Sequence, residues 1–342
     1  MEKHKLNIKP DRNLAMELVR VTEAAAISAA QYMGTGDKEG GDGAAVDAMR
    51  AFLKTVDMDG VVVIGEGEKD EAPMLYNGEE IGTGHGPKVD VAVDPVEGTN
   101  LLALGRPNAI AVLGVAERGS MWDPGNSFYM NKIVVEARAK DAIDIRLSPS
   151  ENLFRIAAAL DRKVSDLTVF VLEKARHEKL IKEIRSTGAR ITMHTDGDVM
   201  GALMAAIPGT GVDVLMGIGG TPEGVIAACA VKALNGGMQG MRAPQLKEEI
   251  EQLKKDNVDL EEVLDLDTLV NSNNTFFAAT GITEGSFLEG VRFDRGNGVV
   301  TTESIVIRSL TGSTRYIKGV HQLNRKRPNI EEEQVTPASV SF

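Results

Sequence analysis

Apolar and alanine positions recur at helical spacing from residue 12 to residue 33, and the run stops at Gly34. This predicts a first helix with a glycine stop. The stretch DGAAVDAMRAFLKTV predicts a second, with Asp42 as its N-cap and Val46, Met49 and Leu53 along one side. The period then changes. VVVIGEG, residues 61 to 67, and KVDVAVDP, residues 88 to 95, are near-continuous apolar runs, the mark of strands buried on both faces, and both end in carboxylates. IAVLGVAERGS and NKIVVEAR read as further strands, the first closed by a turn around Arg118 and Gly119.

At residues 148 to 151 the tetrad SPSE supplies Ser148 as cap, Pro149 at the first helical position and Glu151 three residues on, a capping box. A domain boundary is expected there, with one unit over 1–147 and a second over 148–328. In the second unit, strands LTVFVL, ARITMH and VDVLMG alternate with helices near residues 176 to 187, 198 to 207 and 222 to 234. Alternation of this kind predicts a doubly wound, largely parallel sheet. EEIEQLKKDN, in the charged region 245 to 272, reads as a solvated helix, TFFAATG, VVTTESIVIR and STRYIKGVH as closing strands, and residues 329–342 as a poorly ordered tail. The fold class is α/β, with a mixed sheet in the first half.

Composition narrows the functional classes. The chain has 342 residues, 42% hydrophobic and 26% charged, which fits a globular protein of two ordinary domains or one large α/β unit and neither a disordered nor a fibrous one. No apolar stretch in MEKHKLNIKPDR resembles a signal peptide, and VMGALMAAIP, the longest apolar run, is far short of the roughly 20 residues that cross a bilayer. A soluble, cytoplasmic protein is expected. The single cysteine, Cys229 in VIAACAVKAL, has no internal disulfide partner and reads as a buried helical position. A formal charge of -12 with no basic stripe argues against a nucleic-acid surface. The same charge repels phosphorylated metabolites, so a site for one must reverse the field locally with Lys and Arg or with metal ions.

The candidate chemistry lies where the strands stop. In AVDPVEGTN, Asp94 as N-cap, Pro95 and Glu97 could form a capping box and nothing more. Gly98 counts against that, because glycine in a first turn costs about 1 kcal/mol relative to alanine. Asp94 at the carboxyl end of a strand, with Glu97 folded back by the turn, suits a divalent cation that lets both stay ionised. GEGEKDEAP offers Glu66, Glu68, Asp70 and Glu71 after the preceding strand, and GTGDKEGGDG contributes Asp42. Such a loop alone is usually just solvated. No His/Cys cluster accompanies these residues, and an all-oxygen set favours Mg²⁺ or Mn²⁺ over zinc. Gly98 and Thr99, and Gly220 with Glu223 in GIGGTPEGV, stand at helix starts that could meet a phosphate or be simple capped turns. EKARHEK supplies Lys174, Arg176 and His177 for a second phosphate, or an exposed helix start. HTDGDV supplies Asp196, Gly197 and Asp198 for sugar hydroxyls, or a turn with an N-cap. Tyr129 packs by default.

In this order GTGDK, DGAAVDAMR, VIGEGEKDEAPML, AVDPVEGTN, TDGD, GIGGTPEGV and ATGIT resemble the class II fructose-1,6-bisphosphatases of bacteria, some of which also act on sedoheptulose 1,7-bisphosphate. The likeness covers nearly the whole chain. It implies a layered α/β/α/β/α lithium-sensitive sugar-phosphatase sandwich, two or more Mn²⁺ or Mg²⁺ ions, a sugar bisphosphate of gluconeogenesis or the reductive pentose phosphate cycle as substrate, and a homo-oligomer, dimer or tetramer. Asp42, Glu66, Asp94, Glu97 and Glu223 match metal-binding carboxylates. Glu97, Gly98, Thr99, Tyr129, Lys174, Ala175, Arg176, Asp196, Gly197, Asp198, Gly220 and Glu223 match substrate contacts. Asp70 and Thr99 match groups that activate water, with Lys38 in support. Ala175 departs from the family's usual proline and Tyr32 from its usual tryptophan. Three other readings stay open on the residues alone, one of them a non-catalytic cation-binding protein. An inositol or nucleotide monophosphatase keeps the chemistry, and a dinucleotide-binding oxidoreductase would use GIGGTP, although Pro222 stands where its fingerprint needs glycine.

Overall fold

The structure, a computed structural model, describes residues 14–67 and 74–323. The expected tail from Asn329, the opening twelve residues and the acidic residues Glu68, Asp70 and Glu71 lie outside the described residues. Helix α1 (Ala15–Ala29) runs through a short 3-10 turn to Tyr32 and stops where Gly34 takes a φ of 73°. Helix α2 (Lys38–Leu53) starts earlier than the apolar pattern predicts. Its cap is Asp37, whose carboxylate accepts from the Gly40 N–H, so Asp42 sits inside the helix with its side chain free for other work.

Strands β1 (Asp59–Ile64), β2 (Glu80–Ile81) and β3 (Lys88–Glu97) lead to the short helix α3 (Thr99–Ala103) and to β4 (Ile110–Glu117). After β5 (Tyr129–Val135), helix α4 (Pro149–Ala159) opens on the expected Ser148–Glu151 capping box. Next come β6 (Thr168–Leu172), α5 (Glu178–Ser186), β7 (Arg190–His194), α6 (Asp198–Ala206), β8 (Val214–Gly220), α7 (Thr221–Ala233), β9 (Gly237–Arg242), α8 (Lys247–Lys255), β10 (Leu264–Asp265) and α9 (Leu266–Leu269). Strands β11 (Phe276–Gly281), β12 (Arg292–Asp294), β13 (Val299–Arg308) and β14 (Ser313–Gln322) close the described chain.

Two mixed sheets result. The first has the order β12-β13-β11-β4-β3-β1-β2, with β14 added on β13, and only β1 and β3 run parallel in it. The second has the order β10-β9-β5-β8-β6-β7. The parallel pairing expected there is confined to β6, β7 and β8, because β5 and β9 return as antiparallel partners. The glycine-rich β9, GMQGMR, lacks the β-branched run that announces a strand. The chain passes to the second sheet at β5 and returns to the first at β11.

Helices α6 and α7 lie between the sheets, in a core that joins Ala92 and Val112 of the first to Met130 and Leu215 of the second. Helix α1 packs on the outer face of the first sheet, and α4 and α5 cover the outer face of the second, which completes the expected α/β/α/β/α layering. Both sheets are therefore buried on two faces, as their apolar runs require. Close approach matters in the middle layer. A Cβ on Gly201 of α6 would stand 2.6 Å from the fully buried Phe170 ring, so only glycine lets this helix sit on β6.

Candidate active site

Because β1 and β3 run parallel and an irregularity between Val62 and Ile64 sets Ile64 beside Ala92, the residues just beyond β1 lie level with the end of β3. Glu66 and Asp94 therefore share one sheet edge. On β3 the stretch DPVE is extended and not a helix start. Three steps along β3, from Asp94 to Glu97, match two along β4, from Val112 to Ile110, so the strand carries one extra residue. In a regular strand residues 94 and 97 would point to opposite faces, and a bulge of one residue restores them to the same one. The Asp94 Oδ1 accepts from the Val96 N–H at 3.0 Å and holds the irregular turn. Gly98 follows at a φ of 90°, in the left-handed region, where a side chain would be strained.

This edge is short of positive charge. Burial, with a smaller push from Asp42, raises Glu66 to about 7. Burial and then Glu223 raise Asp94 well above the usual carboxylate range, and burial and then Asp198 raise Glu97 in the same way. Asp42 is raised by burial and by Glu39, and Glu223 by burial and by Asp198. Oε2 of Glu97 and Oε2 of Glu223 are buried without a hydrogen-bond partner among the described residues. An orphaned carboxylate oxygen is costly unless something positive reaches it. Among the described residues no group of three His, Cys, Asp or Glu side chains forms a ready-made cage. Carboxylates that raise one another's pKa also push one another apart, so the set fits hard cations by its oxygen chemistry and its orphaned atoms rather than by a closed geometry.

Across the cleft the second sheet presents charges that are already paired. Lys174, at the end of β6, holds the Oδ1 of Asp196 at 2.8 Å. Arg176 donates through Nε and Nη2 to the Ile218 carbonyl at 3.1 and 2.8 Å, and its guanidinium lies 5.2 Å from the Tyr129 ring centre, a cation–π contact. Tyr129 thus packs as expected, but on a charge. Asp198 is not the cap of α6. Gly197 takes that place at a φ of 101°, and Asp198 forms an ion pair with the buried Lys132 of β5. Lys132 also donates to the Gly220 carbonyl at 2.8 Å, which joins the starts of α6 and α7. Glu97 reaches from the first sheet to the same point, its Oε1 accepting from the Val199 N–H at 3.1 Å.

The two walls enclose a cavity of about 790 Å³. Among the described residues, every predicted site residue lines it except Ala175 and His177, which lie in the turn behind Lys174. Lys38, on the first turn of α2, stands at its acidic end. His177, expected as a cation for phosphate, is instead buried with both ring nitrogens in hydrogen bonds to backbone. His194 stacks on Phe170 at 4.4 Å between ring centres. Cys229 is fully buried, and burial pushes its thiol up to about 12.

Two contributors escape a reading of the sequence. Lys132 sits in NKIVV, where nothing separates it from a surface lysine. Glu249 lies in the helix expected to be solvated, yet it is fully buried. Its Oε1 accepts from the N–H groups of Phe128 and Tyr129 at 2.7 and 2.9 Å, and its Oε2 from Gln245 at 2.8 Å. The one signal is Leu253, four residues on, which places Glu249 on the apolar side of α8.

A cavity whose floor is made of uncompensated carboxylates can take an anion only with cations between, and metal-dependent phosphoric monoester hydrolases are the class of protein that this fold and site define. The chain belongs to the bacterial fructose-1,6-bisphosphatase family, glpX-encoded, whose sequence model matches residues 12–321. It is 43% identical over 333 residues to fructose-1,6-bisphosphatase 1 class 2 of Escherichia coli strain K12, an overlap of 94% of this chain and 98% of the relative. The same identity and coverage relate it to the class 2 fructose-1,6-bisphosphatase of Shigella flexneri.

Proposed function

We propose that this chain hydrolyses the 1-phosphate of fructose 1,6-bisphosphate, giving fructose 6-phosphate and inorganic phosphate, as a cytoplasmic enzyme of gluconeogenesis. The observation that carries the reading is one cavity with unpaired carboxylates at one end and Lys174 with Arg176 at the other. A substrate with a phosphate at each end of a short sugar matches that polarity. Asp42, Glu66, Asp94, Glu97 and Glu223 would hold Mn²⁺ or Mg²⁺, which supply Lewis-acid polarisation of the phosphoryl oxygens and a lowered pKa for water.

The chain's own residues place the reactants. The first N–H groups of a helix have no acceptor within it, so the turn at Gly98 and Thr99 offers donors to the phosphoryl oxygens of the 1-phosphate. The Thr99 hydroxyl orients the attacking water, the carboxylate of Asp70, outside the described residues, accepts its proton, and Lys38 supports the negative end of that transfer. Water oxygen bonds to phosphorus as the bond from phosphorus to the sugar oxygen breaks, and the sugar oxygen takes up a proton from solvent water. Tyr129, Asp196, Asp198 and Gly220 face the sugar, while Lys174 and Arg176 grip the 6-phosphate.

Phosphate release from fructose 1,6-bisphosphate, sedoheptulose 1,7-bisphosphate and an inositol monophosphate, each with Mn²⁺, with Mg²⁺ and with chelator, tests the reading. Fructose 1,6-bisphosphate should be turned over with metal and not with chelator, and the seven-carbon sugar shows how far the remote subsite tolerates length. Preference for the monophosphate would overturn the assignment. Arg176→Ala should raise the KM for fructose 1,6-bisphosphate on the order of a hundredfold and change kcat little, because it removes binding remote from the reacting phosphate.

A further inference from the structure

His177 stands beside Arg176 but does not face the cavity. Its Nδ1 lies 2.7 Å from the Leu172 carbonyl oxygen, and its Nε2 lies 2.7 Å from the Ile218 backbone nitrogen. An amide N–H only donates, so Nε2 is the acceptor and Nδ1 carries the proton. The imidazole is neutral and bridges β6 to β8. A Cβ on Gly217, whose φ is 131°, would stand 2.9 Å from Nε2, so glycine makes room for the ring at that strand.

The bridge sits where the second sheet runs out of backbone partners. Pairing of β6 with β8 ends at Phe170 and Leu215, which leaves the β6-facing edge of β8 at Ile218 without a strand, while β5 pairs along its other edge. Two side chains take the strand's place. His177 receives the Ile218 N–H, and Arg176 donates twice to the Ile218 carbonyl. The residue that aims Arg176 is thereby held, at its own N–H, by the neighbour of Arg176 in sequence. An arginine that must meet a phosphate gains affinity when its orientation is set beforehand.

We propose that His177 is a positioning residue for the remote-phosphate subsite, fixing the Ile218 edge of β8 and through it the direction of the Arg176 guanidinium. The inference rests on the reading of Arg176 given above. Two substitutions separate the ring's two contacts. In His177→Asn the amide nitrogen reaches the place of Nδ1 and keeps the Leu172 bond, but the side chain is too short for Ile218. In His177→Gln the amide reaches the place of Nε2, and its oxygen can still receive the Ile218 N–H.

The test is steady-state kinetics with Mn²⁺ on fructose 1,6-bisphosphate and on fructose 1-phosphate, for both variants and for Arg176→Ala, at a temperature where melting curves show all of them folded. His177→Asn should raise the KM for the bisphosphate about tenfold, with kcat within about twofold and the KM for the monophosphate unchanged. His177→Gln should stay within about twofold of the parent on both substrates. A merely structural histidine predicts that Asn and Gln act alike, or that both substrates suffer equally, and either result overturns the proposal. If Arg176→Ala fails to separate the two substrates, the subsite reading itself falls. If Arg176→Ala separates them and His177→Asn does not, only the role of His177 is rejected.

Discussion

The two walls of the cavity treat charge in opposite ways. On the wall built from α2 and the first sheet, Asp42, Glu66 and Asp94 face one another with raised pKa values and, among the described residues, no basic side chain among their hydrogen-bonded partners. On the second, Lys132 is matched to Asp198, Lys174 to Asp196 and Arg176 to a carbonyl. One wall is electrostatically unfinished and the other complete. Glu223 is the exception that links them, since it follows β8 of the second sheet and yet ends in an orphaned oxygen like Glu97 opposite. On the proposed function, cation binding and chemistry fall to one side, and geometry and recognition to the other.

The sharpest way to break this division is Asp94→Asn. On the unfinished wall, loss of one carboxylate should lower kcat about a thousandfold with metal present, measured by phosphate release. The same variant should melt several degrees higher than the parent in chelator, since it removes a buried carboxylate that must either stay charged or take up a proton at a cost. A lower melting point in chelator would show that Asp94 is compensated by a group the contrast overlooks.

On the complete wall the sign reverses. Lys132→Met strands Asp198, and breaking a buried pair from one side costs about 3–5 kcal/mol. Denaturant unfolding should show that loss, and Lys132→Met with Asp198→Asn should recover most of it. If the double variant is no better than the single one, the pair does not act as a unit.

A smaller effect comes from pH. Glu66 titrates near 7 in the folded chain against 4.5 for an ordinary glutamate, so between these values the folded state binds the extra proton. Stability of the metal-free protein is then greatest at the acid end of that window and is lost as pH rises through the folded value. Melting in chelator should fall by a few degrees from about pH 5 to about pH 8, and excess Mn²⁺ should flatten the trend by keeping the carboxylates ionised. The smallest effect is expected at Cys229, where a thiol pushed up to about 12 leaves about one part in 10⁵ as thiolate at neutral pH. A disulfide reagent should modify it only after denaturant is added.

How much of this was legible follows from how local each signal is. β1, β3 and β4 announce themselves as apolar runs, and the carboxylates beyond the first two stand out because strands seldom end in clustered charge. The bulge between Asp94 and Glu97 was not readable, since DPVE satisfies the rules for a helix cap as well as those for an irregular strand. The apolar pattern puts Asp42 in the right helix but at its cap, because a better cap, Asp37, lies in the same glycine-rich stretch. Lys132 and Glu249 were invisible for a different reason. Each is a charged residue whose partners, Asp198 and the 128–129 backbone, lie more than sixty residues away in the chain. Sheet membership is also a long-range property, so no local pattern shows β5 leaving the first sheet or β11 rejoining it.

Gly219 and Gly220 have a further consequence. A Cβ on the first would stand 2.0 Å from the Asp198 Oδ2, and on the second 1.8 Å from the Glu223 Oε2. Even a single methyl group there would shove a working oxygen aside, so this floor leaves no room for experiment by mutation. The mouth is different, for Phe128 and Leu246 hang half in solvent at its lip. Efforts to retune this catalyst toward longer or bulkier sugars should therefore rebuild the doorway and leave the foundation untouched.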